Sequence, residues 1–346
     1  MMDPASLVLP RARDGLYESF YFRGNSRDGR HAFWLKHNFL RRHGERGVQL
    51  EVSLILFDRQ TTAVQVAQDR EDLSPPSFQA LSRGRHWETL GAHLASGSFF
   101  EISREQLRGR LHTGRGQASW QLALQRSDDV LYHFPHDRLY FLPLPKKKVL
   151  TRDSYMRFSG SLQVGDVRIE GDFVGVNGHN WGSEHAHEYA YAACNLFRED
   201  DSACFDGFSA RLALVAGLVR TPRLSLSALR LDGEWHYFNA LSRSYQQDVQ
   251  SLSDYQWTIH FHNDTHRLEL SVDGANPRVQ PWVALHYEHP GGARSVVKNT
   301  KFASGRLRLL RLEDEAVVRE LSSDCFELET LLPDNVPADK TSVGQA

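Results

Sequence analysis

The chain has 346 residues, of which 40% are hydrophobic and 24% charged, as in an ordinary globular protein with one large or two medium domains. Its 41 lysines and arginines nearly balance its 43 aspartates and glutamates, which excludes nucleic acid as the expected partner. The first residues lack the pattern of a secretory signal, and no apolar run reaches membrane-spanning length. We therefore expect a cytoplasmic protein without stable membrane insertion.

In chain order, the dominant pattern is short segments of alternating apolar and polar residues, separated by glycine, aspartate and asparagine turns. The predicted hairpins are 18–22 with 32–38, 107–113 with 118–125, 159–164 with 167–173, 224–231 with 234–239, and 257–262 with 266–272. Helical periodicity is confined to 77–94, which Gly84 and Gly91 interrupt, and to 313–321. This pattern predicts a mainly β protein, and its length predicts two antiparallel barrel-like domains.

Several kinds of site lack their usual local signals. The three cysteines, Cys194, Cys204 and Cys325, have the spacing of neither a zinc ribbon nor a disulfide framework, so we expect them to be reduced. The sequence also lacks the glycine-rich and nucleophile-elbow motifs of dinucleotide enzymes, nucleotide-triphosphate enzymes and hydrolases. We therefore predict no cofactor.

The densest group of ionisable side chains is the run GHNWGSEHAHE at residues 178–188. Burial shifts the pKa values of histidines and carboxyl groups toward those of useful catalysts. Candidate acids and bases are therefore His179, Glu184, His185 and Glu188, with Asp172 shortly before the run. A structural reading stays open, in which Asn180 and Trp181 only close the end of a barrel.

A resemblance is carried by Ser159-Gly160-Ser161-Leu162, Gly165-Asp166, Gly171-Asp172-Phe173 and Gly178-His179-Asn180-Trp181-Gly182. These segments resemble the carotenoid 1,2-hydratase (hydroxyneurosporene synthase) and AttH-like superfamily. Tocopherol cyclases and the lipocalin-like pericyclases are similar to that superfamily in architecture. The resemblance implies two consecutive lipocalin-like (calycin) antiparallel β-barrels, at 1–188 and 189–346. The sequence departs from that superfamily at Gly178, where many members carry an acidic residue.

The resemblance also implies a hydratase, cyclase or isomerase acting on a lipophilic, isoprenoid or polyketide-like molecule. Such chemistry needs an acid and aromatic walls that stabilise a developing cation. We expect His179, Glu184, His185 and Asp172 to be catalytic. The expected substrate-binding residues are Asn180, Tyr155, Phe173, Trp181, Tyr189 and Tyr191.

Two other functions stay open at this point. A protein of the same fold could carry an apolar ligand without converting it. Alternatively, His185 and His187 lie at the spacing of neighbours on one strand face and could hold a metal ion with Glu184 or Glu188. We predict no metal, because the two glutamates would not both reach the same ion.

Overall fold

The structure is a computed structural model of the whole chain. It describes residues 3, 6–12, 14–83, 86–114, 116–211, 213–214, 219–275 and 280–332. Within these ranges, no helix is both long and apolar enough to cross a membrane.

The first sheet contains eleven antiparallel strands in the order β4-β3-β2-β1-β11-β10-β8-β7-β6-β5, with β9 paired to β10. Its strands are β1 Leu16–Ser26, β2 His31–Arg41, β3 Val48–Asp58, β4 Val64–Leu73, β5 Gly91–His93, β6 Phe99–Ile102, β7 Gln106–Thr113, β8 Gly116–Arg126, β9 Leu131–Tyr132, β10 Lys147–Val164 and β11 Val167–Gly182. Sequential hairpins join most of them, and β1 closes onto β11.

The second sheet contains ten strands in the order β17-β16-β13-β12-β23-β22-β20-β19-β18, with β21 paired to β22. The remaining strands of the chain are β12 Glu188–Cys194, β13 Cys204–Arg211, β14 Ala213–Leu214, β15 Val219–Arg220, β16 Leu224–Leu231, β17 Glu234–Phe238, β18 Asp248–Leu252, β19 Gln256–His262, β20 His266–Asp273, β21 Val283–Glu288, β22 Arg294–Arg311 and β23 Val317–Leu331. Strands β14 and β15 pair only with each other.

Both sheets are curled antiparallel half-barrels, which confirms the mainly β prediction and the two lipocalin-like barrels. The turn at Asp232-Gly233 has positive φ at both residues, 51° and 86°, as its hairpin requires. Strands of the first sheet end at Gly182 and those of the second begin at Glu188. The division at 188/189 would cut after the first residue of β12, and it stays a prediction.

The two helical predictions are wrong in extent or type. In the segment 77–94, the helix α1 (Pro75–Leu81) ends early and is followed by a 3-10 turn at Trp87–Thr89 and by β5. Gly84 lies outside the described residues. In the segment 313–321, Glu315 has a φ of 55° and turns the chain into β23. Two further short helices are the 3-10 turns Leu9–Arg11 and Asp137–Tyr140, and α2 spans Leu241–Ser244.

Each sheet encloses its own apolar core with one face. In the first barrel, Phe20 and Phe22 of β1 belong to that core. In the second, Ala190 and Ala192 of β12 do so. Because successive side chains of a strand point to opposite faces, the intervening residues of β1 and β12 point away from the cores.

The outer faces of the two sheets pack against each other. Apolar contacts join Trp34, Ile55 and Phe57 of the first sheet to Phe302 and Cys325 of the second. Strands such as β2, β3 and β12 are therefore buried on both faces.

A buried ion-pair network also crosses this interface. Arg23 of β1 pairs with Glu327 of β23 at 2.5 Å, and both side chains are almost fully buried. Glu327 also pairs with Lys301 of β22. The Asn25 side chain donates a hydrogen bond to the Lys301 carbonyl at 2.8 Å. These contacts hold the two barrels in one relative position.

Candidate functional site

A cavity of about 450 Å³ lies between the outer faces of the two barrels. Its wall is mostly apolar, but it also contains ionisable groups from strands of both sheets. This combination is typical of a site for a small molecule that is largely apolar and is oriented by a few polar contacts.

Strand β12 places two tyrosines in the cavity wall. Tyr189 and Tyr191 alternate with Ala190 and Ala192, which belong to the core of the second barrel. Tyr191 lies opposite Glu329 of β23, so the two side chains share the cavity face. The small side chains of this strand therefore pack in the barrel core, and its tyrosines form part of the cavity wall.

The first polar group of the cavity is the Asp206 cluster, formed by Asp206, His133, Thr151 and Tyr191. The Asp206 carboxylate contacts His133 Nε2 at 3.0 Å and accepts hydrogen bonds from Tyr191 Oη at 3.1 Å and Thr151 Oγ1 at 3.2 Å. Burial, with the charge of Asp206, holds the pKa of Tyr191 well above its usual value, so this hydroxyl stays protonated.

His133 in this cluster has the geometry of a general base. Its Nε2 faces the Asp206 carboxylate, and because a carboxylate only accepts hydrogen bonds, this nitrogen is the donor of the pair. The Nδ1 atom is buried and has no hydrogen-bond partner among the described residues. The ring can therefore accept a proton at Nδ1 while Asp206 stabilises the resulting imidazolium.

The second polar group is the Glu329 cluster, formed by Glu329, Tyr189, Tyr287, Asn299 and Lys36. Tyr189 donates to one oxygen of Glu329, and the other accepts from Tyr287 at 3.3 Å and Asn299 at 2.9 Å. Lys36 in turn donates to the Tyr287 hydroxyl at 3.3 Å. Burial and the charge of Glu329 raise the pKa of both tyrosines well above the usual value.

His185 lies between aromatic rings at the same wall. Its ring is stacked 3.8 Å from that of Tyr17 and 5.4 Å from that of Tyr287, measured between centroids. Burial, followed by the charge of Lys147, holds the pKa of His185 well below its usual value. The imidazole is therefore neutral near pH 7.

The motif at 178–182 alternates between the two faces of β11. Asn180 lies opposite Ser19 of β1 and lines the cavity. His179 also contributes to the cavity wall, but its ring is stacked between those of Phe20 and Trp181, at 4.2 and 4.4 Å. The motif therefore serves the packing of the first barrel as well as the cavity.

The polar partner of His179 is Glu18. Glu18 Oε1 lies 2.9 Å from His179 Nε2 and accepts from the Val8 amide at 2.7 Å, and Oε2 accepts from the Leu9 amide at 2.7 Å. This carboxylate thus fastens the N-terminal segment to the first barrel. The geometry favours a structural role for His179.

Gly178 is the position at which the sequence departs from the superfamily that it resembles, and its neighbours explain why a glycine stands there. A Cβ atom at this position would lie 2.1 Å from Tyr21 Cζ and 2.3 Å from Tyr21 Oη. Tyr21 faces it directly across the β1–β11 pair. An acidic side chain therefore cannot occupy position 178 while Tyr21 keeps this place.

The structure brings five of the ten predicted site residues into the cavity wall, namely His179, Asn180, His185, Tyr189 and Tyr191. The two predicted acids lie elsewhere. Asp172 is exposed and accepts a hydrogen bond from Ser159 at 2.7 Å. Glu184 is half exposed and pairs with Lys146 at 2.5 Å.

The remaining three predicted residues lie outside the cavity wall. Phe173 is in the core of the first barrel, where it contacts Phe33 edge-on. Trp181 is in a separate apolar cluster with Tyr140. Tyr155 is half-buried on β10. The sequence analysis did not name several ionisable residues of the cavity wall, among them Lys36, His133, Lys147, Asp206, Glu327 and Glu329.

No group of three or more histidine, cysteine, aspartate or glutamate side chains is placed to hold a metal ion in the described part of the chain. His187 is not in the cavity wall, whereas His185 is. The arrangement of the described residues therefore gives no support to a metal centre built on these two histidines.

No protein-family model matches the sequence, and no curated protein matches it either. Among solved structures, an AttH-like protein of Nitrosomonas europaea is similar with a TM-score of 0.52 at 12% identity, over 94% of this chain and 98% of that one. CghA, solved with Sch210972, is similar with a TM-score of 0.54 at 11% identity, over 96% and 95%. The chain thus has the two-barrel fold of AttH-like proteins.

Proposed function

We propose that this protein binds a lipophilic small molecule between its two barrels and converts it by acid–base chemistry without a cofactor. The reaction would be a hydration, cyclisation or isomerisation of an isoprenoid or polyketide-like molecule. The observation that carries the proposal is the Asp206–His133 pair in a mostly apolar cavity, with a buried nitrogen of His133 left without a partner.

The three reactions share proton transfers that this pair can perform. In an isomerisation or cyclisation, His133 Nδ1 takes a proton from one atom of the substrate and returns it to another. In a hydration, it takes a proton from a water molecule whose oxygen adds to the substrate, and it returns that proton to the neighbouring carbon. In each case Asp206 holds the imidazolium in place. Tyr191 is protonated and can stabilise an oxygen anion by donating a hydrogen bond. The rings of Tyr189, Tyr191 and Trp34 offer π faces to a positive charge that develops on the substrate.

The structural neighbours agree with a small-molecule site in this fold. The structure of CghA was solved with the small molecule Sch210972. At 11% identity, the similarity to CghA concerns the fold alone. That this chain also acts on a small molecule is therefore our proposal.

The test combines ligand identification with two variants. Organic extracts of the purified protein are analysed by mass spectrometry, and panels of isoprenoids and linear polyketides are then incubated with the protein. Asp206→Asn and His133→Gln should lower turnover at least about 100-fold while binding changes by only a few-fold.

Asp172→Asn is the matched control, because it removes an exposed carboxylate outside the cavity. It should leave turnover unchanged. Unchanged turnover in both cavity variants would refute the assigned chemistry. Binding without conversion by the unmodified protein, across the whole panel, would instead identify a carrier.

A further inference from the structure

Two lysines in the cavity wall, Lys36 and Lys147, have no carboxylate partner. Neither forms an ion pair within 4.0 Å among the residues that the structure describes, whereas Lys146, Lys298 and Lys301 each do. The cavity wall contains several carboxylates, yet none of them is in direct contact with Lys36 or Lys147.

Lys36 is the more deeply buried of the two, with 5% of its surface exposed. Its ammonium group donates to Tyr287 Oη at a long 3.3 Å and lies 4.5 Å and 4.3 Å from the ring centroids of Trp34 and Tyr287. An ammonium group has three N–H donors, so this environment leaves donor capacity for a ligand.

Lys147 contacts the Tyr189 ring, with its ammonium 4.6 Å from the centroid. Both lysines act electrostatically on His185, whose neutral ring cannot compensate their charge. The hydroxyl of Tyr17, stacked on His185, is buried and has no hydrogen-bond partner in the described part of the chain. Burial raises its pKa above the usual value, so it is a further donor.

Glu329 acts electrostatically on both lysines, and Glu51 and Glu327 act on Lys36, but none of these carboxylates is in direct contact with them. Burying an ammonium group in an apolar wall without a direct partner is unfavourable, and a bound anion would relieve this cost. Arg70 also lines the cavity, but Glu51 and Glu288 already pair with it at 2.6 and 3.5 Å. Two compact cations and one hydroxyl suit a small monoanion with two oxygens. The apolar remainder of the wall suits a hydrocarbon chain or ring system.

We propose that Lys36, Lys147 and Tyr17 form a recognition site for the carboxylate of an amphiphilic ligand, whose apolar part fills the cavity. This inference rests on the proposed function and specifies its substrate class as lipophilic carboxylic acids. The carboxylate replaces the missing partner of Lys36, and it orients the rest of the molecule relative to His133.

The experiment compares two probes that differ only in charge, cis-parinaric acid and its methyl ester, by fluorescence titration at pH 7.5. The unmodified protein should bind the acid at least about tenfold more tightly than the ester. Lys36→Met and Lys147→Met should each reduce this preference, and the double variant should remove it. Affinity for the ester should stay within about twofold throughout.

Lys298→Met is the matched control, because Lys298 pairs with Asp254 and does not line the cavity. It should keep the preference for the acid. Binding of the ester reports that each variant is folded with an intact cavity.

Equal binding of the two probes by the unmodified protein would overturn the carboxylate site while leaving an apolar binding function in place. A preference that persists in the double lysine variant would overturn it as well. Failure of both probes to bind would count against the carboxylate site and the proposed function together.

Discussion

The close approach of Tyr21 to Gly178 predicts that Gly178→Ala destabilises the protein. The Cβ atom that this change adds would overlap the tyrosine ring, at 2.1 Å from Cζ. The φ of Gly178 is outside the left-handed region, so backbone strain adds nothing. Overpacking of this kind costs about 1–3 kcal/mol. In a Tyr21→Ala background, the same change should instead stabilise by about 0.5–1 kcal/mol, because alanine loses less chain entropy than glycine.

The assay is a double-mutant cycle measured by urea unfolding of the unmodified protein, the two single variants and the double variant. The difference between the two backgrounds predicts a coupling free energy of about 1.5–4 kcal/mol between the two positions. Gly47→Ala is the control, because the Cβ atom there would meet only the Leu73 carbonyl at 3.4 Å. Additivity of the two changes within about 0.5 kcal/mol would refute the steric explanation for the glycine at position 178.

Three further changes test other parts of the structure. Burial lowers the pKa of His37 to about 3, below the unfolded value of 6.5, so the protein loses stability as pH falls from 6.5 to 3. At about 1.4 kcal/mol per pH unit, this titration costs about 5 kcal/mol of unfolding free energy, which His37→Leu should restore at low pH. An acid-unfolding midpoint identical to that of the unmodified protein would contradict this. Glu327→Gln leaves Arg23 and Lys301 buried without their carboxylate and should cost about 3–5 kcal/mol in urea unfolding, whereas a cost below about 1 kcal/mol would show that the network is unimportant. Glu18→Gln keeps one acceptor oxygen but turns an NH2 group toward either the Val8 or the Leu9 amide, so hydrogen exchange of at least one of these amides should accelerate, and unchanged protection of both would count against the fastening role.

The sequence predicted the sheets well because their signals are local. Alternation within a strand and turn residues such as Asp232-Gly233 depend on neighbours in the chain. The helix predicted over 77–94 does not form as one element. Phe78, Trp87 and Leu90 all lie in the core, but they reach it from a short helix, a 3-10 turn and the loop before β5. Periodicity alone does not distinguish these arrangements.

The candidate site was harder to predict, because its residues are brought together by the packing of two barrels. Asp206 and His133 are 73 positions apart in sequence, and no local spacing connects them. A weaker signal was available in Lys36, which follows the apolar run at 32–35, and in Glu327 and Glu329, which alternate with Phe326 and Leu328. Such residues indicate a strand covered on both faces, with a polar contact on one of them.

The position of the cavity on the outer faces of the barrels separates the residues that pack a barrel core from those that line the cavity. On β12, Ala190 and Ala192 pack in a barrel core while Tyr189 and Tyr191 face the cavity. A substitution of either tyrosine therefore changes the shape of the cavity without opening a void in that core. In this architecture, the cavity can be reshaped at alternate positions of the same strands while the cores stay unchanged.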